Sequence, residues 1–369
     1  MSIDAIPYVN LAAQWHEERS ELLPVIEKIL ESGQYVGGEE VDLFEKEVSA
    51  KFKVKHAIAV NSGTDALFLG LMALGIKSGD EVITPPNSFV ASTAVVVNAG
   101  AIPVFVDVKE DQNIDPKLIE KSITANTKAI IAVHLTGRMC DMEAICHIAS
   151  QHNLAVVEDA AQSAGSKFMN RHSGSWGDIG CFSAHPLKNL AACGDAGFVT
   201  TNNDEIAKKI QLLRNHGLAT RDRMDQYGYV SRMDALQAAI LRYRLRRLPS
   251  IIERRRTHAS LYRSLLNMDK LFQPEDLITE FNTFHTFVIQ LDKREELRQF
   301  LIERRIETAV HYPLPIHLQP ACRPLGYESN SFPVAELQAK KILTLPVHQN
   351  LTAEQITRVA DSVNEFVCG

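Results

Sequence analysis

Lys188 follows Pro186 by two residues, behind the apolar run CFSAH (181–185) and ahead of the small-residue stretch AACGDAG (191–197). Lysines that serve only solubility decorate helix faces, whereas one held between a strand end and a glycine-bearing loop is expected to point into a cleft. Desolvation there lowers its pKa, and the neutral amine becomes a nucleophile toward a carbonyl. A second reactive group closes the segment LAVVEDAAQSAG (154–165), where an apolar run ends in Glu158, Asp159 and Gln162. The carboxyl edge of a parallel sheet is where ligands bind in open α/β folds, and a carboxylate buried there needs a cationic partner. Taken alone, the same residues also describe an acidic helix cap.

Two further segments supply complementary chemistry. In NSGTDALFLG (61–70) a strand gives way to a short polar turn that opens a helix, whose first-turn amides and dipole suit an anion. By itself Ser-Gly-Thr before a helix is a capped turn, and only a phosphate-bearing cofactor makes Gly63 and Thr64 binding residues. Phe89, in TPPNSFVAS (84–92), follows another apolar run, either as core packing or as a plane against which a flat ring lies. Jointly, an amine, a carboxylate, an anion site and an aromatic plane answer the needs of pyridoxal phosphate (PLP). Its ring is an electron sink when a residue such as Asp159 keeps the pyridine nitrogen protonated.

The elements that must position these residues alternate in the α/β manner. Strands are expected at 56–60, 81–85, 102–108, 129–135, 154–159, 181–185 and 197–201, with helices over 64–74, 88–98, 116–123 and 141–153 between most of them. That alternation gives a mostly parallel sheet covered by helices. After Gly217 a polar stretch leads into a long helical pattern (231–266), which Pro249 is expected to kink or split. Strand and helix patterns then resume at FHTFVIQLD (284–292) and KREELRQFLIERR (293–305), and a last helix starts at Thr352 with capping-box spacing to Gln355. The expected division is a large domain, 1–250, and a small α/β domain, 251–369. The arginines at 242–247 and 254–256 read mostly as the solvated face of the long helix.

Net charge is -6, from 39 Lys+Arg against 45 Asp+Glu, so no general attraction to nucleic acid or an anionic membrane is expected. The six cysteines lack zinc or disulfide-scaffold spacing, which fits a reducing cytoplasm. The amino-terminal segment has no signal-peptide pattern and no apolar run is long enough for a membrane span. No metal site is expected, because the histidines, among them His56, His134 and His348, have no ligand spacing; they read as structural or substrate-adjacent.

Over nearly its whole length the chain resembles the sugar aminotransferases of the DegT/StrS type, within the fold-type I PLP enzymes. The resemblance rests on SGQYVGG (32–38), NSGTDAL (61–67), GDEVITPP (79–86), PVFVDV (103–108), VHLTGRMCDM (133–142), VVEDAAQS (156–163), CFSAHPLKN (181–189), LRNHG (213–217), SRMDALQAAIL (231–241), HYPLPIHLQP (311–320) and FPVAE (332–336). It implies an aspartate aminotransferase-like large domain and a homodimer whose sites are shared around 228–232. It also implies that Lys188 carries PLP as a Schiff base and moves the proton to the sugar carbon. By the same resemblance Asp159 pairs with the pyridinium, Gln162 bonds the phenolic oxygen and Phe89 stacks on the ring. Gly63, Thr64 and Ser183 bind the phosphate, and His311, Tyr312 and His317 approach a nucleotide-linked sugar. The implied reaction moves an amino group from an amino-acid donor, glutamate by analogy, to a 3- or 4-keto sugar.

Two positions depart from the family pattern. Val230 stands where an asparagine usually reaches across the dimer to the phosphate, and Ala196-Gly197 replaces a glycine pair. A related branch of the fold dehydrates sugars and carries histidine in place of the lysine; Lys188 speaks for transamination. A PLP-binding regulator is a second alternative, although no DNA-binding helix pair or basic domain is evident. A nicotinamide oxidoreductase fails on the absence of GxGxxG.

Overall fold

The structure, a computed structural model, describes residues 4–369. Residues 1–3 of the large domain's expected span lie outside the described residues. Seven strands form one sheet in the spatial order His56–Val60, Gly197–Thr201, Ile179–Ser183, Ala155–Asp159, Thr127–Val133, Glu81–Thr84 and Ile102–Phe105. Five of them run parallel, from Ile179–Ser183 to Ile102–Phe105, while Gly197–Thr201 opposes both its neighbours. Strands such as Ala155–Asp159, buried along nearly their whole length, have helices on both faces, so their sequences are continuous apolar runs rather than alternating ones.

The register decides where chemistry collects. Val133 pairs with Asp159, Asp159 with Cys181, Ser183 with Gly197, and Gly197 with Val60. The ends of four strands and the start of a fifth therefore meet at one edge, from which the segments carrying Gly63, Asp159 and Lys188 leave the sheet.

Two amino-terminal helices, Leu11–Ser32 and Glu39–Phe52, pack on the long helix Ala235–Leu265. That helix runs through Pro249 without the expected split. The lost amide bond is tolerated because Leu245, Leu248, Ile251 and Ile252, on both sides of the proline, are buried; packing holds both halves helical. The expected boundary at residue 250 falls inside this helix. A separate apolar core gathers Tyr262, Phe287, Leu297, Leu343 and Val359 at the carboxyl end.

The arginines of the long helix are not mainly a solvated face. Arg242 pairs with Glu40 and Glu47, and Arg247 and Arg254 with Glu17. Arg244 bonds Glu18 at 2.7 Å with both side chains at most 6% exposed. It also donates to the carbonyls of Ala191 and Ala192, so an ion pair between helices braces the loop that follows Lys188. Glu18→Ala leaves Arg244 buried without a carboxylate and is expected to cost about 3–5 kcal/mol, read as a lowered denaturant midpoint. An unchanged midpoint would mean that the two carbonyls alone satisfy the guanidinium.

Candidate functional site

A cavity of about 450 Å³ opens at this sheet edge, and Gly63, Thr64, Phe89, Asp159, Gln162, Ser183, Lys188, His311 and Tyr312 all line it. Nine of the ten residues singled out from sequence thus meet in one place, although they span 250 positions of chain.

Lys188 follows a turn in which its backbone amide donates to the His185 carbonyl. Lys188 is half-buried in the cavity wall, and desolvation there outweighs the attraction of Asp159, bringing the pKa from 10.5 down to about 8. Asp159 is 6% exposed; its Oδ2 accepts from Ser92 Oγ at 2.7 Å and its Oδ1 from the Ala161 amide at 3.2 Å. These bonds hold the carboxylate in one orientation while keeping it in the cavity wall.

Glu158, one residue earlier, faces the opposite side of the strand, as the two-residue repeat requires. It accepts from the amides of Gly174, Trp176 and Gly177 and bonds His134 Nε2 at 2.9 Å. The adjacent carboxylates have therefore divided: Glu158 ties down a loop, and Asp159 faces the site.

The anion end is built by close approach. Ser62 caps the helix Gly63–Ala73 by accepting from the Asp65 amide. A Cβ on Gly63 would stand 2.6 Å from Ser183 Cβ, and one on Gly197 would stand 2.4 Å from the Ser62 carbonyl carbon. Both positions must be glycine for the helix start to reach Ser183. The helix's free amides then lie at the cavity with the Ser183 and Thr64 side chains, an arrangement suited to phosphate.

Phe89 is 55% exposed and lies 5.9 Å from the Tyr312 ring, which resolves the choice between core packing and an open aromatic surface in favour of the latter. Gln162 Oε1 accepts from the Thr136 amide at 2.8 Å, leaving Nε2 toward the Tyr312 hydroxyl at 3.5 Å. Burial pushes the Tyr312 phenol up to about 12, and burial plus the Lys188 charge brings His311 down to about 4; at neutral pH both are uncharged.

His317 does not join the constellation. It is 1% exposed, bonds Glu336 at 3.1 Å and packs edge-on to Phe332. The 3-10 turn Ile316–Leu318 carries it against a separate apolar cluster, apart from the cavity lined by the other nine.

Tyr8, Arg255, His285 and His348 also line the cavity. Of these, only His348 was considered near a substrate from sequence, as one alternative to a structural role. Nothing local marks the others: Arg255 hides within an arginine run, and Tyr8 and His285 come from distant segments. Among the described residues no cluster could hold a metal and no helix is long and apolar enough to cross a membrane.

The cavity meets the demands of PLP on observable grounds: a half-buried amine of lowered pKa, a fixed carboxylate, a glycine-lined helix start and an aromatic face. A pleiotropic regulatory protein of Geobacillus stearothermophilus is 40% identical, covering 98% of each chain. A dTDP-3-amino-3,4,6-trideoxy-alpha-D-glucose transaminase of Streptomyces venezuelae is also 40% identical, covering 98% of this chain and 96% of the relative. In solved structures, NtdA of Bacillus subtilis with bound cofactor PMP superposes with a TM-score of 0.94 at 31% identity, covering 100% of this chain and 86% of that one. The model of the DegT/DnrJ/EryC1/StrS aminotransferases, PLP-dependent enzymes, matches residues 16–364, and the chain belongs to that family.

Proposed function

We propose that this protein transfers an amino group from an amino-acid donor, L-glutamate, to a nucleotide-linked keto sugar, with the 3-keto position favoured over the 4-keto by the name of the Streptomyces relative. The observation that carries the reading is Lys188, a half-buried amine of lowered pKa, sharing a cavity with the fixed carboxylate of Asp159. PLP, when bound, supplies a sink for the electron pair left as a proton departs from the carbon bearing nitrogen, and it stores the amino group between the two halves of the reaction.

Lys188 binds the cofactor's aldehyde and, once released, its amine takes and returns the proton at the reacting carbon. Asp159 keeps a proton on the ring nitrogen, Gln162 bonds the phenolic oxygen, and Phe89 covers the ring. Gly63, Thr64 and Ser183 hold the phosphate. His311 and Tyr312, uncharged at neutral pH, offer hydrogen bonds to sugar hydroxyls without repelling Lys188.

In this reading the division at residue 250 separates the wall bearing Lys188 and Asp159 from the wall bearing Arg255, His285, His311 and His348. Met224, Tyr227 and Val230, apolar residues exposed to 53%, 88% and 55% within one short segment, support a homodimer. Six free cysteines support a cytoplasmic location. A non-catalytic regulator, suggested by the Geobacillus relative's name, leaves the lowered Lys188 pKa without a purpose.

The test is an absorption spectrum of the holoenzyme before and after L-glutamate. A shift from the PLP band to that of the pyridoxamine form is expected, followed by recovery on adding a 3-keto sugar nucleotide. A band that stays unchanged with every amino acid offered would overturn transamination.

A further inference from the structure

Among the described residues, three arginines are less than a tenth exposed: Arg138, Arg244 and Arg255. Arg138 meets Asp276 and Glu280, and Arg244 meets Glu18. Arg255 has no carboxylate. Its Nη1 donates to the Phe284 and His285 carbonyls and its Nη2 to Gln349 Oε1, while its Nε has no partner. A buried cation left without a counterion is unfavourable unless the missing anion arrives with a ligand, and this one lines the cavity that contains Lys188.

The surroundings narrow the ligand. His285 Nδ1 is likewise buried without a partner. Burial, with the charges of Lys188 and Arg255 added to it, holds the imidazole well below its usual pKa, so His285 lines the same cavity as a neutral group. A ligand that meets Arg255 through an anionic group and Lys188 through its reacting carbon spans a cavity that His285 also lines. The helix start at Gly63 already serves the phosphate of PLP, so the second anion belongs to a substrate.

We propose that Arg255 binds a carboxylate of the amino-acid donor, with His285 contributing a neutral hydrogen bond to the same ligand; this rests on the transaminase reading. A guanidinium meets a carboxylate with two parallel, charge-assisted bonds, and the carbonyls of Phe284 and His285 hold its plane. The keto sugar needs no such partner at its reacting carbon. One cavity thus accepts an anionic donor and then a neutral sugar ring, because water and neutral dipoles can replace the carboxylate between the two half-reactions.

The experiment uses PLP-loaded Arg255→Gln and Arg255→Lys beside the wild type. Binding of glutarate, a non-reacting dicarboxylate, is measured by calorimetry. The spectral half-reaction is timed with L-glutamate, L-alanine and 4-aminobutanoate, the last lacking the α-carboxylate. Arg255→Gln is expected to weaken glutarate and slow glutamate about a hundredfold, with Arg255→Lys recovering part of both, while PLP affinity stays within about threefold of wild type. Whichever of L-alanine and 4-aminobutanoate is less affected lacks the carboxylate that Arg255 holds.

Three outcomes overturn the assignment: equal glutarate binding and equal glutamate rates in Arg255→Gln; a loss of PLP affinity as large as the loss of glutarate binding in both variants, the mark of a structural role; or unchanged glutarate binding with loss of UDP-glucose binding, which would give Arg255 to the sugar's diphosphate. A wild type that binds glutarate through Arg255 but never shifts with glutamate removes the transaminase reading and leaves the anion site standing.

Discussion

Lys188→Ala is expected to lower transamination roughly a thousandfold or more, to abolish the absorbance of the covalently held cofactor, and to retain part of the PLP affinity. Retention follows because the contacts proposed for phosphate, ring nitrogen and ring face lie on other residues. Loss of turnover follows because nothing nearby can replace the amine. Burial drives His285 and His311 below their usual pKa, which weakens them as bases, and Arg255 is lowered only to about 10, so it stays protonated at neutral pH.

The pH dependence supplies a separate readout. Only the neutral amine attacks an aldehyde, and Lys188 has its pKa lowered from 10.5 to about 8. Covalent capture of PLP by the cofactor-free protein should therefore rise about tenfold per pH unit below 8 and flatten above it, rather than climbing toward 10.5. Full turnover in Lys188→Ala, timed in the glutamate half-reaction, would remove the central claim. A capture rate still climbing past pH 9 would show that the cavity does not desolvate this amine.

Legibility in the sequence followed how local the determining physics is. His56–Val60 and Gly197–Thr201 were expected with those bounds and are observed with them, since an apolar run between polar turns specifies a buried strand without outside help. The run expected at 102–108 pairs only through Phe105; Val108 turns away to bridge Ile114. The strand expected at 181–185 lies two residues earlier, at Ile179–Ser183, because pairing with Gly197–Thr201 sets its end. Lys188, Asp159 and Gly63 could be found because each sits at a change from apolar run to polar turn.

Arg255 could not be found that way. Its neighbours Arg254 and Arg256 have the same side chain, and only the packed helix shows which of the three turns inward. The helix Leu11–Ser32, given no element from sequence, is what converts Arg244, Arg247 and Arg254 from a solvated face into ion-paired residues. The position of His317 is hidden for a related reason: it is six residues from His311, yet one short turn sends the two side chains into different surroundings.

Asp159→Asn is expected to slow the glutamate half-reaction about a thousandfold while leaving the fold intact. The exchange preserves size and an oxygen able to accept from Ser92 Oγ or the Ala161 amide, so the thermal midpoint should move little. What it removes is the negative charge. A neutral amide cannot keep a proton on a pyridine nitrogen, and without that proton the ring is a weaker sink for the electron pair. Asp159 also opposes the lowering of the Lys188 pKa. Its neutralisation should therefore carry that pKa further down, and the pH at which PLP capture flattens should fall below that of the wild type. The two effects separate the charge from the shape of the side chain: Ser92→Ala, which loosens the carboxylate but keeps its charge, should slow the reaction by only about tenfold and leave the capture profile in place. An Asp159→Asn variant with wild-type rates would place the ring nitrogen elsewhere in the cavity. One that is slow but has an unshifted capture profile would mean that Asp159 acts on the cofactor without influencing Lys188.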